Sequence, residues 1–120
     1  MKTVKDLIKE QEQEEGWIGV DLDGTLAEYQ SGYASQNKIG KPIPKMLVRI
    51  EKWLGEGKTI KIFTARAYFP ESIPYIKKYL NKIGLPDLEI TNIKDPYMIE
   101  LWDDRVVQVI PNTGNRADGK

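Results

Sequence analysis

The side chains best suited to chemistry follow four short apolar segments of the chain. They are Asp21, Asp23, Thr64, Arg66, Lys94, Asp103, Asp104 and Arg105. The 120 residues include no cysteine and no histidine, so thiolate nucleophiles, imidazole bases and zinc–thiolate sites are excluded. Proton transfer must therefore fall to Asp, Glu, Lys or Tyr, and a metal held by side chains must be a hard cation on oxygen ligands.

Carboxylates dominate this set. The aspartates are Asp21, Asp23, Asp103 and Asp104. If they gather at one edge of a sheet, like charges about 4 Å apart repel by roughly 1–4 kcal/mol per pair, and Mg²⁺ is the natural ion to relieve that repulsion. Thr64, Arg66 and Lys94 then offer a hydroxyl and two cations to the oxygens of a phosphate. The set predicts phosphoryl transfer, although Arg66 and Arg105 are equally suited to salt bridges with the acids.

Strand and helix patterns alternate between these residues. Strand patterns cover residues 17–22, 59–64, 88–91, 99–102 and 106–110, and helix patterns cover residues 43–54 and 73–83. This order predicts an α/β, Rossmann-like, mostly parallel sheet flanked by helices, in which ligands bind beyond the carboxyl ends of the strands. The connection between residues 91 and 99 is shorter than a usual parallel crossover, so we expect it to run directly to the fourth strand.

The length is typical of one domain. We expect a short N-terminal helix over residues 1–15, a catalytic domain over residues 16–111 and a flexible tail over residues 112–120. A net charge of zero gives no basic field, so charge alone does not favour binding to nucleic acid or membranes. No run approaches the about 18 apolar residues of a membrane span, and a cytoplasmic location is the default expectation.

Asp21-Leu22-Asp23-Gly24-Thr25 resembles motif I, DxDGT, of the haloacid dehalogenase-like (HAD) phosphohydrolases. Thr64, Lys94 and the pair Asp103-Asp104 are similar to the three other motifs of that family, and they follow in its order. The resemblance implies a HAD-like fold and a Mg²⁺-dependent phosphomonoester hydrolase with an aspartyl-phosphate intermediate. Response-regulator receivers, which use a similar set of residues, are excluded because their acid pair comes at the first strand.

The resemblance also implies a role for each motif. Asp21 would be the nucleophile, and Asp23 the general acid and base, with its backbone carbonyl on Mg²⁺. Thr64 would bind the phosphoryl oxygens, and Lys94 would bind both the nucleophile and the phosphate. One of the two residues in the Asp103-Asp104 pair would bind Mg²⁺ directly and the other through water or Lys94; the sequence leaves open which.

The site is expected to lack a cap domain, because residues 27–41 are enough only for a short flap. In the family, this implies a large substrate or a homo-oligomer in which a neighbour closes the site. The segments around Arg66 and Asp103–Val109 are similar to the phosphatase domain of polynucleotide kinase-phosphatases, so a 3′-phosphatase on nucleic-acid ends is one alternative, unsupported by the net charge. A noncatalytic module that binds a phosphorylated ligand is another. The flap residues Tyr29, Tyr33, Lys38 and Lys41, and Tyr68 and Phe69 after Arg66, are suited to stacking on and gripping a ligand or to packing the flap onto the body.

Overall fold

Residues 1–8, 16–29 and 38–120 are described in a computed structural model of the chain. The elements are β1 (Trp17–Val20), α1 (Pro44–Gly55), β2 (Ile60–Phe63), α2 (Ile73–Lys82), β3 (Glu89–Thr91) and β4 (Met98–Trp102). Residues 4–8 are also helical, whereas residues 9–15 and most of the expected flap, residues 30–37, lie outside the described part. None of the helices in that part has the length and hydrophobicity needed to cross a bilayer.

The four strands form one parallel sheet in the order β3-β2-β1-β4. All four residues of β1 are buried, which explains its uninterrupted apolar sequence. From β1 to β3 the chain extends the sheet in one direction, and β4 then pairs with the other side of β1. The prediction of a parallel α/β sheet is confirmed. The strand order reverses between β1 and β4, and the carboxyl ends beside such a reversal are where α/β sheets bind ligands.

One apolar core packs the two helices against the sheet. Alternate residues of β1 and β2 contribute to it, because side chains alternate across a strand. The helices contribute positions four residues apart, Met46 and Ile50 from α1 and Ile76 and Leu80 from α2, and these lie on one face of each helix. The strand residues in this core are Ile18, Val20, Ile60 and Ile62. Packing of this kind fixes the carboxyl ends of the two central strands relative to each other.

The connection from β3 to β4 runs directly, without a helix, as expected from its length. It passes Trp17, whose indole Nε1 donates to Asp95 Oδ1 at 2.8 Å and whose amide donates to the Tyr97 carbonyl at 3.0 Å. The same ring also contacts Lys61, whose Nζ lies 4.6 Å from its centroid, and stacks on Phe63, with centroids 6.4 Å apart. These contacts leave Trp17 only 2% exposed, so the connection helps to cover the sheet face opposite the helices.

The prediction of a fifth strand over residues 106–110 is wrong. Within the described residues this segment pairs with none of the four strands, and Val109 forms only an isolated antiparallel bridge with Arg116. The Ile110 amide donates to the Asn115 carbonyl at 2.8 Å. The β-branched residues have the propensity of a strand, but the Pro-Asn-Thr-Gly turn that follows lets the C-terminal tail supply their hydrogen-bond partners instead of the sheet.

Candidate functional site

Asp21 lies directly after β1, on the side of β4. Its amide donates to the Trp102 carbonyl at 2.8 Å, so the pairing of the two strands continues to this residue. The chain then turns sharply, with the amides of Leu26 and Ala27 donating to the Leu22 carbonyl at 3.0 and 2.8 Å. Since Leu22 and Leu26 are fully buried, the turn is anchored in the core and holds Asp21 at the edge of the sheet.

The carboxylates of Asp21, Asp103 and Asp104 form an acid cluster in which one oxygen of each lies within 4.8 Å of the others. Asp103 and Asp104 follow β4, so the cluster stands where the strand order reverses. The Arg105 amide donates to Asp103 Oδ1 at 2.8 Å, and the Thr25 hydroxyl contacts Asp104 Oδ1 at 3.5 Å. Three carboxylate oxygens at this separation can coordinate one hard cation such as Mg²⁺.

Burial, together with the neighbouring acids, raises the pKa of Asp21 from 3.8 to about 8. Burial is the largest cause, followed by the negative charge of Asp103 and a hydrogen bond with Asp104. With a pKa of about 8, Asp21 retains a proton at neutral pH in the metal-free cluster. A divalent cation would replace this proton and compensate the same repulsion, so the donor set fits Mg²⁺.

Gly24 allows the turn after β1 to approach the acid cluster. Its φ of 90° lies in the left-handed region that glycine adopts without strain. A Cβ atom here would overlap the carboxylate of Asp104. Both the backbone conformation and the close approach therefore require glycine, which gives the DxDG spacing a local structural reason.

Thr64 follows β2 and lies at the base of the site. Its amide donates to the Thr91 carbonyl at 2.9 Å, and its hydroxyl accepts a hydrogen bond from the Arg66 amide at 3.1 Å. This second bond caps a 3-10 turn over Ala65–Tyr68. The residue is only 2% exposed, and these two hydrogen bonds fix its backbone and its hydroxyl in place.

Asp23 is turned toward Arg66 and does not belong to the acid cluster. Arg66 Nε donates to Asp23 Oδ2 at 2.7 Å, and a terminal guanidinium nitrogen donates to Oδ1 at 2.9 Å. The same guanidinium donates to the Lys38 carbonyl at 2.8 Å. The sequence allows Arg66 either to bind the phosphate or to form a salt bridge with the acids. In the structure, Arg66 forms a salt bridge with Asp23.

An open cleft of about 790 Å³ adjoins the acid cluster. Six of the eight candidate residues from the sequence line it: Asp21, Asp23, Thr64, Asp103, Asp104 and Arg105. Arg66 binds Asp23 but is not among the residues that line the cleft. In the described part of the chain, Asn92 lines the cleft after β3 and Lys94 does not; Lys94 is exposed on the connection to β4. The structure therefore brings the aspartates and Thr64 together but leaves Lys94 outside the cleft lining.

Asn92 and Val106 also line the cleft, and the sequence analysis missed both. Asn92 follows β3 directly, just as Asp21 follows β1 and Asp103 follows β4. This equivalence of position was a signal that could have identified it. Val106 gave no such signal, because its apolar neighbours indicate a strand.

No family model matches the chain, and no curated protein or solved structure is significantly similar to it. A functional assignment therefore depends on the geometry of the cleft and on the chemistry of its side chains.

Proposed function

We propose that the protein is a Mg²⁺-dependent phosphomonoester hydrolase that forms an aspartyl-phosphate on Asp21. The observation that carries this proposal is the acid cluster, whose carboxylate oxygens lie within 4.8 Å of one another beside an open cleft at the strand-order reversal. A divalent cation together with a phosphate is the ligand pair that suits three crowded carboxylates and a neighbouring hydroxyl. The resemblance of the segment from Asp21 to Thr25 to motif I of the HAD phosphohydrolases supports the same reaction.

The acid cluster would hold the ion, and Thr64 would bind the substrate. Bound Mg²⁺ would neutralise the carboxylates and withdraw charge from the phosphoryl oxygens. Because the Thr64 hydroxyl accepts its hydrogen bond from the Arg66 amide, its own O–H is oriented away from that amide and can donate to a phosphoryl oxygen.

The two half-reactions need a nucleophile and one acid-base group. An Asp21 carboxylate oxygen attacks phosphorus, the bond from phosphorus to the alcohol oxygen breaks, and Asp23 gives that oxygen a proton. Water then attacks the aspartyl-phosphate, Asp23 takes a proton from it, and inorganic phosphate leaves with Asp21 restored. Before the first transfer, Asp23 must turn away from Arg66 and take up a proton from solvent, since both of its oxygens accept hydrogen bonds from the guanidinium.

Phosphate release tests the proposal. The substrates are an aryl phosphate, nucleotides, sugar phosphates and phosphorylated oligonucleotides, each with Mg²⁺ or with EDTA. We expect release that requires Mg²⁺ and that falls by about a thousandfold or more in Asp21→Asn. Asp87→Asn is the matched control, because Asp87 is an exposed acid that pairs with Lys77 at 3.4 Å and lies outside the cleft lining. No Mg²⁺-dependent release from any substrate, or an Asp21→Asn variant as active as the wild type, contradicts the proposal.

The pairing of Asp23 with Arg66 favours a second candidate, a noncatalytic module that binds a phosphorylated ligand. If the guanidinium keeps both oxygens of Asp23 when the ligand binds, no proton reaches the leaving group and turnover stops. Calorimetric titration with inorganic phosphate in the presence of Mg²⁺ separates the two candidates when it is run beside the release assay. Binding without turnover of any substrate favours the module, whereas turnover excludes it.

A further inference from the structure

Three exposed aromatic side chains line the cleft beside the acid cluster. Tyr29, Tyr68 and Phe69 are 55%, 73% and 43% exposed. Tyr29 comes from the loop after β1, and the other two come from the end of the 3-10 turn after β2. Isolated exposed rings are common, but rings from two separate segments that line one cleft are typical of a surface that a ligand covers.

The turn that carries Tyr68 also positions the phosphate-binding hydroxyl. It begins after Thr64, whose hydroxyl caps it by accepting from the Arg66 amide. The rings of Tyr68 and Phe69 meet edge to face, with centroids 5.0 Å apart and an interplanar angle of 89°. Phe69 therefore packs against Tyr68, and the capped turn connects both rings to Thr64.

The cleft is larger than a phosphate and its cation require. Its volume of about 790 Å³ lies within the range of about 300–1,000 Å³ that pockets for whole small molecules occupy. Asn92 lines the same cleft, and its amide offers both a donor and an acceptor to the edge of a ring. Flat aromatic surfaces with one amide suit a planar ring with polar edges better than they suit a charged or flexible chain.

We propose that the alcohol part of the substrate carries a heteroaromatic base, which stacks on Tyr68 while the phosphate lies at the acid cluster. The substrate class is then a nucleotide. This inference rests on the proposed phosphomonoesterase function and narrows its substrate. A free mononucleotide and the terminal nucleotide of a single strand share this chemistry, and stacking of this kind accepts any base.

Selectivity for a base is the quantity to measure. The substrates are adenosine 5′- and 3′-monophosphate, ribose 5-phosphate, which has no base, and short oligonucleotides phosphorylated at either end. We expect kcat/KM for the better mononucleotide or oligonucleotide to exceed that for ribose 5-phosphate by about tenfold or more. In Tyr68→Ala this ratio should fall about tenfold. In Tyr68→Phe it should stay at the wild-type value, because the ring remains. Tyr75→Ala is the matched control, since Tyr75 is 47% exposed on α2 and lies outside the cleft lining.

The outcomes separate this inference from the proposed function. Hydrolysis of ribose 5-phosphate as efficient as that of every nucleotide, or a ratio that Tyr68→Ala does not lower, overturns the base site and leaves the phosphatase standing. If nothing is hydrolysed, the phosphatase fails, and calorimetry with Mg²⁺ tests the base site alone. Tighter binding of adenosine 5′-monophosphate than of inorganic phosphate then supports the site, and equal affinity overturns it. A higher kcat/KM for mononucleotides than for oligonucleotides, or the reverse, shows whether the base belongs to a free nucleotide or to the end of a strand.

Discussion

Arg66 binds both carboxylate oxygens of Asp23, at 2.7 Å through Nε and at 2.9 Å through a terminal nitrogen. Its contact with the Lys38 carbonyl at 2.8 Å joins the pair to the segment that leads into α1. The side chains are 11% and 22% exposed, so the pair is shielded from water. A two-point pair in this setting stabilises a fold more than a surface ion pair does.

Replacing Arg66 is expected to destabilise the protein. Arg66→Ala should lower the free energy of unfolding by about 2 kcal/mol, because it leaves the shielded carboxylate of Asp23 without its partner. Arg66→Lys should recover only part of this loss, since an ammonium cannot reproduce the two-point contact. Urea unfolding measures the change. The control is Lys77→Ala, which breaks an exposed pair with Asp87 and should cost less than about 0.5 kcal/mol. Equal losses in Arg66→Ala and Lys77→Ala would contradict the expectation.

Gly24→Ala is expected to disturb the acid cluster as well as the backbone. Gly57→Ala is a matched control, because Gly57 has a similar φ of 81° but open space where a Cβ would lie. The control should lose about 1 kcal/mol of stability from backbone strain alone. Gly24→Ala should lose about 1 kcal/mol more and bind Mg²⁺ more weakly, because its Cβ overlaps the carboxylate of Asp104. Adding Asp104→Ala to Gly24→Ala should recover part of the stability loss, and strictly additive losses would show that the overlap is relieved elsewhere.

The sequence was sufficient for features that depend on burial and strand direction. The apolar run from Trp17 to Val20 predicts a buried parallel strand, and parallel strands place Asp21 and the acids after β4 at one edge of the sheet. Pairings between distant residues could not be obtained in this way. Arg66 and Asp23 are 43 positions apart, and a charge pattern does not say which acid an arginine will reach.

The structure differs from the sequence-based predictions at residues 106–110 and at Lys94, and local contacts explain both differences. Residues 106–110 have strand propensity, but the turn that follows supplies nearer hydrogen-bond partners than the sheet does. The position of Lys94 depends on the path of the direct connection from β3 to β4. That path is set by contacts of Asp95 and Tyr97 with Trp17, which no periodicity reveals.

The hydroxyl of Tyr79 is expected to cost stability. It is buried without a hydrogen-bond partner among the residues that the structure describes. Burial, together with the carboxylates of Asp23 and Glu28, raises the pKa of Tyr79 to about 12. Tyr79→Phe removes the unpaired group and keeps the ring, so the free energy of unfolding should rise by about 1 kcal/mol. Thermal unfolding measures this change, with the exposed Tyr75→Phe as a neutral control; a lower Tm in Tyr79→Phe would show that the hydroxyl is paired.

The stability of the metal-free protein is expected to fall as pH rises. Because the pKa of Asp21 is about 8 in the folded protein and about 3.8 when unfolded, the folded state binds more protons between these values. The contribution of this bound proton to the free energy of unfolding is complete below about pH 4 and is lost as pH rises through about 8. One pKa unit corresponds to about 1.4 kcal/mol, but water screens a partly exposed carboxylate, so we expect a total fall of about 2 kcal/mol.

Urea unfolding in EDTA at several pH values between 4 and 9 measures this slope. Asp21→Asn should remove it, because an amide does not titrate, and the variant should be more stable than the wild type at pH 9. Mg²⁺ should reverse the trend in the wild type, since the ion binds the deprotonated cluster more tightly as pH rises. Asp87→Asn, outside the cleft lining, should leave the slope unchanged. A wild-type slope that persists in Asp21→Asn would place the titrating group elsewhere and contradict the raised pKa of Asp21.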